Sequence, residues 1–102
     1  MHDTQAGLVE RAVLIGLERH GHDQWAVQDA LEELRELART AGADVVEVIT
    51  QKRQGPNPAT FIGSGKVGEL VAICAEKEAN LVVFDDNLSP AQGRNLGEAL
   101  GD

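Results

Sequence analysis

The sequence predicts a small three-layer α/β domain with a mostly parallel four-stranded sheet flanked by helices, in the order β-α-β-β-α-β-α. Three observations carry this. Short continuous apolar runs, AVLIGL at 12–17 and NLVVF at 80–84, have the length and branched composition of strands covered on both faces. Between such runs the apolar residues recur every three or four positions, the period of a helix with one buried face. The length, 102 residues at 42% hydrophobic, suffices for one core and leaves no room for a second independent domain.

The elements follow in order. AVLIGL ends at the turn-forming HGHD, which closes the first strand. From Asp29, residues Leu31, Leu34, Ala38 and Ala41 share a face, with Leu37 at its edge and Glu32, Glu33, Glu36 and Arg39 outside. Asp29 with Glu32 forms a capping box and Gly42 the C-terminal cap. DVVEVI (44–49) is the second strand. It runs into TQKRQGPNP (50–58), where Pro56 and Pro58 exclude a regular ladder. ATFI (59–62) reads as a short third strand, joined to the second either as a loose hairpin or by a loop returning along the sheet. Val67, Leu70, Val71, Cys74 and Ala75 then face inward from a second helix. NLVVF is the fourth strand. Ser89, Pro90 and Gln92 supply a hydroxyl N-cap, proline at the first helical position and a capping-box partner, starting a third helix through Leu96 and Leu100. The domain is assigned to residues 10–102, with 1–9 as a flexible leading segment. Ending on GEALGD, just after a helix, the chain reads as a fragment whose exposed apolar surface would favour a homodimer.

Nine basic against seventeen acidic residues give a net charge of −8, which argues against a generally basic nucleic-acid-binding body. A single cysteine, Cys74, excludes an internal disulfide, and the first ten residues lack the basic and apolar regions of a signal peptide. No apolar run approaches the ~20 residues of a membrane span. These features point to a cytoplasmic protein without membrane insertion.

Gly63, Gly65 and Gly68 fit the dinucleotide fingerprint G-x-G-x-x-G, and Gly65-Lys66 resembles the end of a P-loop. The P-loop fails at both ends, with Thr60 in place of the first glycine and Val67 in place of the magnesium-binding hydroxyl. The dinucleotide pattern is closer: the loop lies between a strand and a helix, and Asp85 ends the next strand 22 residues after Gly63, where a ribose-binding acid belongs. Against it stand the weak preceding strand and the missing second nucleotide-binding half. Nucleotide binding by Gly63, Gly65, Lys66, Gly68 and Asp85 is therefore the alternative. The preferred reading is that the glycines turn a strand tightly into a helix.

With all strands parallel, Lys52, Arg53, Lys66 and Arg94 would collect at the C-terminal edge of the sheet as a basic rim able to meet RNA phosphates. Asp85 and Asp86 end a buried strand there and read first as turn residues before Ser89. His20 and His22, beside Asp23, lack the further ligands of a zinc site. Cys74 reads as a buried structural thiol, and Trp25 as an anchor of the loop against the core.

The segments ERAVLIGLE, ALEELRELARTAGADVVEVITQKR, PATFIGSGKVGEL and LVVFDDNLSPAQGRNLGEAL, in this order and spacing, resemble the N-terminal domain of the HflX family of ribosome-associated GTPases over about residues 10–101. The resemblance implies a small α/β subdomain followed in the family by a long helical hairpin and a G domain. GTP and magnesium would belong to that G domain, leaving this stretch without cofactor, metal or catalytic residues. It further implies partners in the large ribosomal subunit and in the helical and G domains, and a part in regulating the GTPase. The acidic body restricts direct RNA contact to the rim.

Overall fold

The computed structural model describes residues 9–19 and 24–101. Residues 1–8, 20–23 and 102, and with them His20, His22 and Asp23, lie outside the described residues. Among the described residues six elements follow one another: β1 (Arg11–Arg19), α1 (Gln24–Thr40), β2 (Asp44–Arg53), α2 (Ser64–Lys77), β3 (Leu81–Phe84) and α3 (Pro90–Leu100). The sheet has, among the described residues, three strands in the order β2-β1-β3, all parallel.

The central strand explains the apolar run. Ala12, Val13, Leu14 and Ile15 are fully buried because β1 has a strand on each side and helices on both faces. Its two faces are served by different helices. Val13, Ile15 and Leu17 cluster with Ile49, Phe61, Ile62 and Leu70 on the α2 face, where α3 also packs through Leu100. The opposite face meets α1: a Cβ placed on Gly16 would lie 2.9 Å from Leu31 Cδ1, so the absence of a side chain there lets the helix approach. The ladder to β2 is irregular between Ala12 and Val13, which pair with Val45 and Glu47 and leave Val46 as the extra residue of a bulge.

The four-stranded expectation is corrected to three strands, and the order β-α-β-β-α-β-α to β-α-β-α-β-α. ATFI is not a sheet strand. Asn57 and Phe61 exchange backbone hydrogen bonds of 2.8 and 2.9 Å, and the Asn57 side-chain oxygen accepts the Ala59 N–H at 2.7 Å, so the segment closes on itself. The backbone bonds a strand would spend on the sheet are consumed locally. Conversely TQKR, expected as a loop, continues β2 to Arg53, paired residue for residue with β1.

Helix limits also shift. α1 begins at Gln24, placing Asp29 inside it rather than at its cap. Trp25 sits in the first turn and is 67% exposed, so it does not anchor a loop against the core. On α2 the inward residues are Val67, Leu70, Ile73 and Cys74, while Val71 and Ala75 face outward. Two caps stand as expected. Gly42 takes φ 93° after α1, with Ala43 N–H donating to Ala38 O. The Ser89 hydroxyl accepts the Gln92 N–H while the Gln92 side chain accepts the Ser89 N–H.

Candidate functional site

In an open parallel sheet the helices following two adjacent strands can leave to opposite faces, and a crevice opens between the strands' C-terminal ends. Here that pair is β1 and β3, followed by α1 on one face and α3 on the other. A cavity of about 220 Å³ lies there, lined by Leu17, Arg19, Ala26, Val27, Ala30, Phe61, Asp85 and Asp86.

Asp85 is its polar centre. Its N–H donates to Ile15 O at 2.9 Å, continuing the ladder past β3, and its Oδ2 accepts the Leu17 N–H at 3.3 Å. The other oxygen, Oδ1, is buried and has no hydrogen-bond partner among the described residues. Burial pushes this carboxyl above the ordinary carboxylate range. The Leu17 N–H opposes the rise, Asp86 adds to it, and Arg19 opposes it. Arg19 makes its 3.8 Å ion pair with Asp86 instead, at the mouth. Read from sequence first as a turn residue and in the alternative as a ribose-binding acid, Asp85 thus becomes the half-buried acceptor of the crevice; only the meeting of two distant strand ends reveals it.

Phe61 forms the wall. Its ring is 2% exposed and meets Phe84 edge-on, centroids 5.4 Å apart. Its φ of 67° is left-handed, a conformation a bulky residue adopts only when its surroundings enforce it.

The glycine loop is built differently from either sequence reading. Gly63 caps α2 at φ −64°, its N–H donating to Gln51 Oε1 at 2.9 Å, while the Arg53 guanidinium lies 3.0 Å from where a Cβ would be. Gly65 and Gly68 are helical residues with open space around them. The bend belongs to Phe61, so the glycines are not what turns the chain. Asp85 follows directly after β3, beside Leu17, and touches none of these residues in the hydrogen-bond network.

The rim residues lie on three elements. Lys52 is exposed and Arg53 half-buried at the end of β2, Arg53 Nε donating to Gly55 O at 3.0 Å. Lys66, in the first turn of α2, pairs with Glu69 at 3.2 Å. Arg94 is exposed on α3, which is tied to the same edge by Gln92 Nε2 donating to Asn57 O and Asn95 Nδ2 to Ala59 O.

Cys74 is half-buried against the core, and burial raises its thiol above the ordinary value, as suits an inert structural cysteine. Among the described residues no group of three or more His, Cys, Asp or Glu side chains could share a metal, and no helix is long and apolar enough to cross a membrane.

Residues 28–101 match the family model described as "GTP-binding GTPase N-terminal". The chain is 42% identical over 92 residues to the GTPase HflX of Caldanaerobacter subterraneus subsp. tengcongensis, covering 90% of this chain and 21% of that protein. It is 40% identical over 101 residues to the GTPase HflX of Alkalihalophilus pseudofirmus, covering 99% and 24%. To the GTPase HflX of Escherichia coli it is 42% identical over 66 residues, covering 65% and 16%. The chain therefore spans less than a quarter of the length of these relatives.

Proposed function

The chain belongs to the family of N-terminal domains of HflX GTPases, and from that membership we propose that it is a noncatalytic module that contributes to large-ribosomal-subunit association and to control of a GTPase domain. The observation carrying this is the match to the N-terminal domain model over residues 28–101, with 40% identity to a GTPase HflX along nearly the whole chain. GTP and magnesium are assigned to the G domain, and helical and G domains are the intramolecular partners. The setting is cytoplasmic.

The basic rim is the part proposed to face RNA. Lys52 and Arg94 are exposed cations on an otherwise acidic body of net charge −8. Contact limited to a few such cations neutralises few phosphates, so binding should be modest and salt-sensitive. The alternative, nucleotide binding at the 63–68 loop, is disfavoured by geometry: Gly63 N–H is already spent on Gln51 and Arg53 covers that residue.

Two measurements test the proposal. Pelleting of the chain with large ribosomal subunits at two salt concentrations should fall with added salt and fall again with Lys52→Glu plus Arg94→Glu. Calorimetric titration with GTP, ATP and NAD should show no saturable micromolar binding; saturation abolished by Gly65→Glu would move the assignment to the alternative.

A further inference from the structure

The sheet ends on one side in a strand of four residues, β3, and on the other in β2, which has ten. A long edge presents a row of unpaired N–H and C=O groups, and proteins usually shorten, break or cover such an edge. Among the described residues β2 has β1 as its only strand neighbour and contains neither proline nor glycine. The bulge at Val46 interrupts its beginning, but from Glu47 to Arg53 the ladder is regular.

That regular stretch is centred on Thr50, which is exposed, and its charges are arranged end to end: Glu47 at the start, Lys52 and Arg53 at the finish. A two-fold axis perpendicular to the sheet through Thr50 makes two copies of β2 antiparallel and keeps the α1 faces of both on one side. Glu47 then stands opposite the second copy's Arg53, and Arg53 opposite the second copy's Glu47. Both residues belong to the α2 face, in step with Ile49 and Gln51, so the facing side chains emerge on the same side. Val48 faces Lys52, whose methylene stem can lie along it, and Thr50 faces its own copy. A parallel arrangement would set like charges side by side.

We propose that β2 is a self-pairing edge through which two copies of this chain join antiparallel about Thr50, forming one continuous six-stranded sheet β3-β1-β2-β2-β1-β3. The paired stretch is short and two net-negative bodies approach one another, so the dimer is weak, with a dissociation constant of roughly 10–500 µM.

Sedimentation equilibrium of the whole chain tests this. The unaltered chain should dimerise in that range, Arg53→Glu should weaken dimerisation about tenfold or more, and Glu47→Arg combined with Arg53→Glu should restore it. In a Cys74→Ala background, Thr50→Cys should give a disulfide-linked dimer on oxidation with glutathione disulfide. A chain that stays monomeric to millimolar concentration, a dimer indifferent to both charge changes, or a Thr50→Cys chain that does not cross-link would overturn the proposal. Thermal melts of each variant separate loss of pairing from loss of fold.

Discussion

At Phe61 two requirements conflict: the ring belongs to the core, and the backbone needs a left-handed conformation that favours glycine. Phe61→Ala should therefore lose the buried ring while keeping the strain, costing about 3–5 kcal/mol. Phe61→Gly loses the ring and relieves the strain, so it should be the more stable of the two by about 1 kcal/mol, reversing their usual order; chemical denaturation of both variants measures the difference. Asp85 supplies a second prediction. Its carboxyl is held above the ordinary range, so the folded chain binds the proton more tightly than the unfolded chain does. The sign follows: the burden of an ionised Asp85 is absent below the ordinary carboxylate value, grows as pH rises from there through the raised value, and is complete above it. Asp85→Asn keeps an oxygen for the Leu17 N–H and removes the charge. Relative to the unaltered chain, its stability should improve with rising pH across that window and level off above the raised value, as urea melts at several pH values would show.

At the scale of elements, α3 depends on its start. Ser89 and Gln92 satisfy each other's backbone groups, and the same Gln92 side chain reaches Asn57 O at 2.8 Å, fastening the helix to the 57–62 turn. Ser89→Ala should cost about 1 kcal/mol, whereas Gln92→Ala should cost more because it also releases the turn; differential scanning calorimetry ranks them. The α1–β1 contact is set by Gly16. Leu31 Cδ1 and Cγ lie 2.9 and 3.2 Å from an added Cβ, so the whole leucine side chain, not its tip alone, would have to move. Gly16→Ala should destabilise by about 1–3 kcal/mol. Elements announced by local chemistry were readable in advance: the apolar runs of β1 and β3, the cap of α3, Gly42 after α1. Those decided by competition were not. Phe61 and Ile62 have strand-like side chains, yet Asn57 captures the backbone around them. Thr50, Gln51 and Lys52 are polar because they sit on an edge strand, and polarity read as a loop.

For the molecule as a whole, the excess of negative charge opposes compaction, and the ion pairs that offset it are exposed enough to contribute little each. Raising salt from low to physiological levels should screen the repulsion and lift the melting temperature by a few degrees, roughly what about 1 kcal/mol provides in a domain of this size. The crevice at the β1 and β3 ends was invisible in the sequence for a global reason: it exists only once residues near 17 and near 85 are neighbours. The strand order has one more effect. The central strand is the earliest made, and it waits for partners at 44–53 and 81–84. With parallel pairing there is no hairpin to shelter it meanwhile, so β1 keeps one edge open until α1 and β2 are in place and the other until β3 arrives. Folding slower than that of a helical bundle of equal length is built into this order of strands.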